Sequence, residues 1–85
     1  MEKINEITKV IANYFITNAA IREVQAKDLM TEFIAAGIFI KNHRDGSPIR
    51  EALRKLDARN ELYKIPYVFA DRKTKNTNWF FRNMG

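Results

Sequence analysis

At Asn60 the spacing of apolar residues changes, and that change restricts what the chain can become. Before it, Ile4, Ile7, Ile11, Tyr14 and Phe15, then Ala26, Leu29, Met30, Phe33 and Ile34, then Ile49, Ala52, Leu53 and Leu56 recur at steps of three and four. That is the period of a helix with one buried face. After it, Ile65, Tyr67 and Phe69 alternate, as do Trp79 and Phe81, which is the period of a strand. Helices first and a hairpin last make an α+β fold.

Local chemistry places the boundaries. The first helix is expected over about residues 2–17, with Asn18 able to end it, and Ile21-Arg22-Glu23-Val24 alternates like a short extended piece. The second runs over about 26–36, and Gly37 supplies the left-handed residue that commonly follows a helix end. Ile38-Phe39-Ile40 is rich in strand formers, and Asp45-Gly46 signals a turn. Ser47 then reads as the N-cap of a third helix over about 48–60, with Pro48 at its first position and Glu51 in its positive first turn. Opposite its core stripe lie Ser47, Glu51, Arg54 and Ala58, flanked by Arg50 and Lys55. In the hairpin, Pro66 marks an edge strand, since proline cannot donate to a ladder. Residues 71–78 form a polar, basic tip longer than folding requires.

With 85 residues the chain is expected to form one domain, residues 1–85, and at 46% hydrophobic content it has the apolar material for a core without disulfides. It has no cysteine and one histidine, His43, which excludes a structural zinc site, an iron–sulfur centre and a thiol nucleophile. The expectation is no metal, no cofactor and no catalytic residue. His43-Arg44-Asp45 imitates a kinase catalytic triplet, but no glycine-rich loop accompanies it and the chain has no room for that fold. The longest uncharged, mostly apolar run, residues 33–40, falls far short of the roughly 20 residues that cross a bilayer. No signal peptide is legible, and the expected location is cytoplasmic.

Charge is unevenly placed. Residues 1–42 carry five basic and five acidic groups, whereas residues 43–85 carry ten basic and five acidic, so the whole net charge of +5 lies in the second half. Such a half either meets an anion or is a solvated face.

The order helix, extended piece, helix, helix, hairpin resembles a winged helix-turn-helix, with three helices and a C-terminal two-stranded wing. Residues 49–81, with Ile49, Leu53, Leu56 and Leu62 followed by Tyr63 to Phe69, a basic turn and Trp79-Phe80-Phe81, look like the third helix and wing of that family, including the Z-form nucleic-acid binders. The chain departs from a tight helix-turn-helix in the ten or so residues, Gly37 to Gly46, between its second and third helices.

The resemblance implies a DNA-binding protein whose third helix enters the major groove and whose wing contacts the backbone or minor groove. Carried over, Ser47, Arg50, Glu51, Arg54 and Lys55 would face the groove, and Arg72, Lys73, Lys75 and Asn76 would form the wing. Duplex DNA is the expected partner, with RNA or a single strand left open, and the role implied is transcription regulation or an accessory factor of a phage or mobile element.

The competing reading of Arg50, Arg54, Lys55 and Arg59 is a solvated helix face, with Glu51 and Lys55 at i,i+4 spacing. Trp79 and Phe81 are expected in the core; Phe80 would lie on the other sheet face beside Val68. Those two residues, with the aromatic side of the first helix, define the alternative: a protein-interaction module without nucleic-acid binding. Tyr14 and Phe15 also make the first helix a candidate homodimer contact.

Overall fold

The computed structural model describes residues 3–74 and 76–84. It is α+β. Its elements are α1 (Ile4–Thr17), β1 (Glu23–Gln25), a 3-10 turn (Ala26–Leu29) running into α2 (Met30–Ala35), α3 (Ser47–Ala58), a second 3-10 turn (Leu62–Lys64), β2 (Val68–Arg72) and β3 (Thr77–Arg82).

The helices bury the stripes that their spacing defines. Ile7, Ile11 and Phe15 of α1, Met30 and Phe33 of α2, and Ile49, Leu53 and Leu56 of α3 meet in one core with Ala26, Leu29, Ile38, Ile65, Trp79 and Phe81. Phe33 packs edge-on to both Phe39 and Phe81. Tyr14 and Phe15 do not overflow the face of α1: Phe15 stacks on Tyr67, and Tyr14 meets Phe15 edge-on.

Two helix ends close by the same device. Gly37 takes φ 78°, so its N–H reaches Ile34 O and that of Ile38 reaches Phe33 O. Asn60 takes φ 58°, and the N–H groups of Asn60 and Glu61 reach Asp57 O and Leu56 O. Both are Schellman closures, which need a residue that tolerates the left-handed region.

The start of α3 departs from expectation. Its N-cap is Gly46 at φ 91°, and Ser47 is already the first helical residue, which places Glu51 beyond the first turn. Asn42 supplies the side-chain oxygen instead, accepting from the Gly46 N–H at 2.8 Å. Residues Arg44, Asp45 and Gly46 all have positive φ, forming a left-handed turn that swings the chain into the helix. The expected strand character of residues 38–40 is absent, and Ile38 turns into the core.

The sheet has three strands, where the hairpin alone was expected. β1 pairs antiparallel with β3, which becomes central in the order β1-β3-β2. The register aligns Val24, Phe81 and Val68 in one row and Gln25, Phe80 and Phe69 in the next. Trp79 and Phe81 face the core, and Val68 faces it with them. Phe80 therefore lies beside Phe69, not Val68, on the outer face. The expected strand 65–69 begins three residues late because the turn at Leu62–Lys64 and Pro66 resets the alternation. Strand pairing also reaches Arg72 and resumes at Thr77, so residues 71, 72, 77 and 78 of the expected eight-residue tip belong to the strands.

Candidate nucleic-acid interface

Two hollows flank α3. On the hairpin side, an open cleft of about 810 Å³ is bounded by Arg50, Arg54 and Asp57 of α3, by Gln25 and Lys27, by Asp45, and by residues 76–79 at the start of β3. On the other side, a groove of about 330 Å³ runs between α3 and the N-terminal end of α1, lined by Ile4, Ile7, Ile38, Phe39, Ala52 and Leu56 with Lys3, Glu51, Lys55 and Arg59 at its rim.

The expected site residues divide between these hollows. Arg50, Arg54 and Asn76 share the cleft. Glu51 and Lys55 line the opposite groove, although both are exposed on α3. Ser47 lines neither hollow. Lys75 lies outside the described residues. Lys27, Gln25 and Asn78 were not expected in the site; the turn after β1 and the pairing of β3 bring them to the cleft.

Most of the cations are already engaged. Arg72 does not project freely from the wing, because its two terminal nitrogens donate to both carboxylate oxygens of Asp57 at 2.8 and 2.9 Å. That fork locks the hairpin to α3, and the guanidinium holds the Asp57 carboxyl below the usual carboxylate range. Arg54 pairs with Glu51 at 2.6 Å, an i,i+3 contact instead of the expected Glu51–Lys55 pair. Lys73 pairs with Asp71 at 3.2 Å and Lys27 with Asp45 at 2.9 Å. The hydrogen bond to Asp45 and its charge raise the Lys27 pKa.

Arg50 differs. It is half-buried, its Nη2 donates to the Arg44 carbonyl, and its Nε is buried with no hydrogen-bond partner. A buried donor left unmade costs about 1–3 kcal/mol. The Arg44 carbonyl it uses belongs to the left-handed turn, where each non-glycine residue costs about 1–2 kcal/mol. Strain and an orphaned donor thus meet at the rim of one cleft.

The outer sheet face carries Phe69 and Phe80, with ring centroids 6.5 Å apart. It is capped, since the Arg82 guanidinium lies 3.6 Å above the Phe69 ring while its Nε donates to Glu23. Trp79 is only 6% exposed.

Among the described residues, no group of three or more His, Asp or Glu could hold a metal ion. No helix among the described residues is long and apolar enough to cross a membrane. No protein-family model matches the chain, and no curated protein or solved structure matches it significantly.

Proposed function

We propose that the chain is a small winged-helix nucleic-acid-binding protein that contacts duplex DNA through α3 and the hairpin tip, as a transcription regulator or an accessory factor of a mobile element does. The observation that carries the reading is the placement of α3 beside the tip across one open, polar cleft, with Arg50 and Arg54 on one wall and Asn76 on the other. Twelve residues of α3 span about 18 Å, a length that suits a major groove about 12 Å wide. The face that would enter the groove, with Glu51, Arg54 and Lys55, is exposed and not covered by the connector. Duplex is favoured over a single strand because stacking on bases needs an open aromatic face at the site, and Trp79, the aromatic residue that lines the cleft, is in the core.

Ion pairing lowers the expected electrostatic contribution. Arg54, Arg72 and Lys73 each face a carboxylate, so a phosphate must displace one or share its cation. About three phosphate contacts would remain, giving a slope of log K against log salt near −3.

The test is a fluorescence-anisotropy titration with labelled duplex at two salt concentrations, with single strand and RNA as competitors. Micromolar binding to duplex that weakens with that slope supports the proposal. Absence of binding at low salt overturns it, as does tighter binding to single strand or RNA.

A second reading, a protein-docking module, is favoured by the apolar groove between α1 and α3 and by Ile40, which is 96% exposed just after the groove residues Ile38 and Phe39.

A further inference from the structure

We propose that the cleft between α3 and the hairpin seats a single phosphodiester group, with Arg50 as its anchor. The inference rests on the nucleic-acid reading for its macromolecular source and on the charge balance of the cleft for its chemistry.

The other two cations that line the cleft have internal anions: Lys27 has Asp45 and Arg54 has Glu51. Arg50 has none among the described residues; it has a backbone carbonyl on one side and an orphaned Nε. Among the described residues that line the cleft, the three cations Lys27, Arg50 and Arg54 stand against the two carboxylates Asp45 and Asp57, so the cleft lacks one negative charge. A phosphodiester carries one negative charge, whereas a phosphomonoester near neutral pH carries between one and two. A lone carboxylate would match in charge, but it brings no sugar or base to the polar wall opposite.

The opposite wall argues in the same direction. Asn76, Thr77, Asn78 and Gln25 bring neutral amide and hydroxyl groups to the cleft. Such groups donate and accept, which suits the sugars and base edges on either side of a phosphodiester. The bond from Nη2 to the Arg44 carbonyl holds the guanidinium in one orientation, so its remaining terminal N–H groups meet phosphate oxygens in a fixed geometry, which an ammonium does not offer. Two sources share this chemistry: a strand of nucleic acid and a free dinucleotide.

Nuclear magnetic resonance distinguishes them on the full chain. The Arg50 Nε–Hε signal, assigned by its loss in Arg50→Lys, is followed during titration with the dinucleoside monophosphate of thymidine, with inorganic phosphate and with a short duplex. Movement of that signal together with the Asn76 and Asn78 side-chain amides, for the dinucleotide and the duplex and not for inorganic phosphate, supports the seat. Arg50→Gln is expected to weaken duplex binding about tenfold at low salt and to make the salt slope shallower by about 1.

The failures separate. Duplex binding that leaves the Arg50 signal still, and that Arg50→Gln does not weaken, overturns the seat and leaves the nucleic-acid reading standing. A response to the dinucleotide without duplex binding supports the seat with a small-molecule source and overturns the nucleic-acid reading. An equal response to inorganic phosphate overturns the phosphodiester class.

Discussion

The hairpin side and the α1 side of α3 are built from one twelve-residue helix, yet they handle charge in opposite ways. Toward the hairpin, cations and carboxylates alternate around an open cleft, and every lining charge but that of Arg50 has a partner: Lys27 with Asp45, Arg54 with Glu51 and Asp57 with Arg72. Toward α1, the wall is apolar, and the charged heads of Lys55 and Arg59 stand at its rim. Long basic side chains lay their stems on apolar surface and keep their heads in water, so the rim position of Lys55 needs no anion, whereas Arg59 pairs with Glu61 at 3.2 Å. A basic residue on α3 is therefore informative about ligands only on the side where its charge is confined. Arg50 meets that condition, and Lys55 does not.

The largest expected effect lies at the joint that holds both sides in place. A Cβ on Gly46 would lie 2.4 Å from Lys27 Cβ and 2.8 Å from Lys27 Cα, in a backbone conformation of φ 91°. Gly37, at φ 78°, has nothing within 4 Å of the same position. Gly46→Ala is expected to lose about 3 kcal/mol or more, because strain and overlap add, and Gly37→Ala only about 1 kcal/mol, from strain alone. Urea denaturation of both variants checks this; equal losses would show that the close approach of Gly46 to Lys27 is not what demands glycine.

A pair of truncations then separates the two walls. Leu56 is 3% exposed and belongs both to the core and to the apolar groove. Leu56→Ala should cost about 2–4 kcal/mol of stability while leaving the duplex affinity of the folded protein unchanged. Arg54→Ala should do the reverse, weakening binding by about 1–3 kcal/mol if it meets a base and changing stability by no more than about 0.5 kcal/mol. Chemical denaturation and anisotropy on both variants decide. A binding defect in Leu56→Ala would move the interface to the α1 side.

How much of this was legible without coordinates follows from distance along the chain. The stripe Ile49, Leu53, Leu56, the left-handed Gly37 and the inward Trp79 and Phe81 depend on residues a few positions apart, and spacing alone reveals them. The third strand was not legible as part of the sheet: β1 is three residues long, and its partner β3 lies more than fifty residues away. The phase of β2 is not legible either, because a 3-10 turn and Pro66 interrupt the alternation of Ile65 and Tyr67 before the strand begins at Val68. Arg72 looked like a free wing contact, since nothing local reveals that Asp57, fifteen residues earlier, comes to face it. Lys27 joins the cleft through the packing of Gly46 against it, which no periodicity encodes.

The Arg72–Asp57 fork predicts a pH dependence confined to the hairpin side. Arg72 holds the Asp57 carboxyl below its ordinary range, so the folded state binds that proton less readily than the unfolded chain does. Its contribution is complete above the unfolded carboxylate pKa and disappears as pH falls through the lower, folded value. Asp57→Asn should remove this part of the acid dependence, and thermal melts across that range compare it with the parent. The same variant frees Arg72 for an external anion, so duplex binding should strengthen severalfold with a steeper salt slope. Unchanged melts and unchanged binding would mean that the fork neither holds the hairpin nor masks the arginine.

The smallest expected effect is at Lys55, and it bears most directly on how α3 would sit on DNA. Lys55 is exposed and has no ion pair among the described residues, which makes it the most available cation on the helix. Availability favours a strong effect, but its position on the α1 side favours a weak one. If the cleft faces the nucleic acid, Lys55 lies near the edge of the contact, and Lys55→Ala should lower affinity about two- to threefold, with a salt slope shallower by less than 1. If the exposed ridge of α3 lies centrally in the major groove, Lys55 and Arg54 are neighbours there, and Lys55→Ala should change the slope by a full unit. Anisotropy at four salt concentrations resolves that difference. A full-unit change would transfer the centre of the interface from the cleft to the ridge while leaving the nucleic-acid reading intact, because only the rotation of α3 about its own axis would differ.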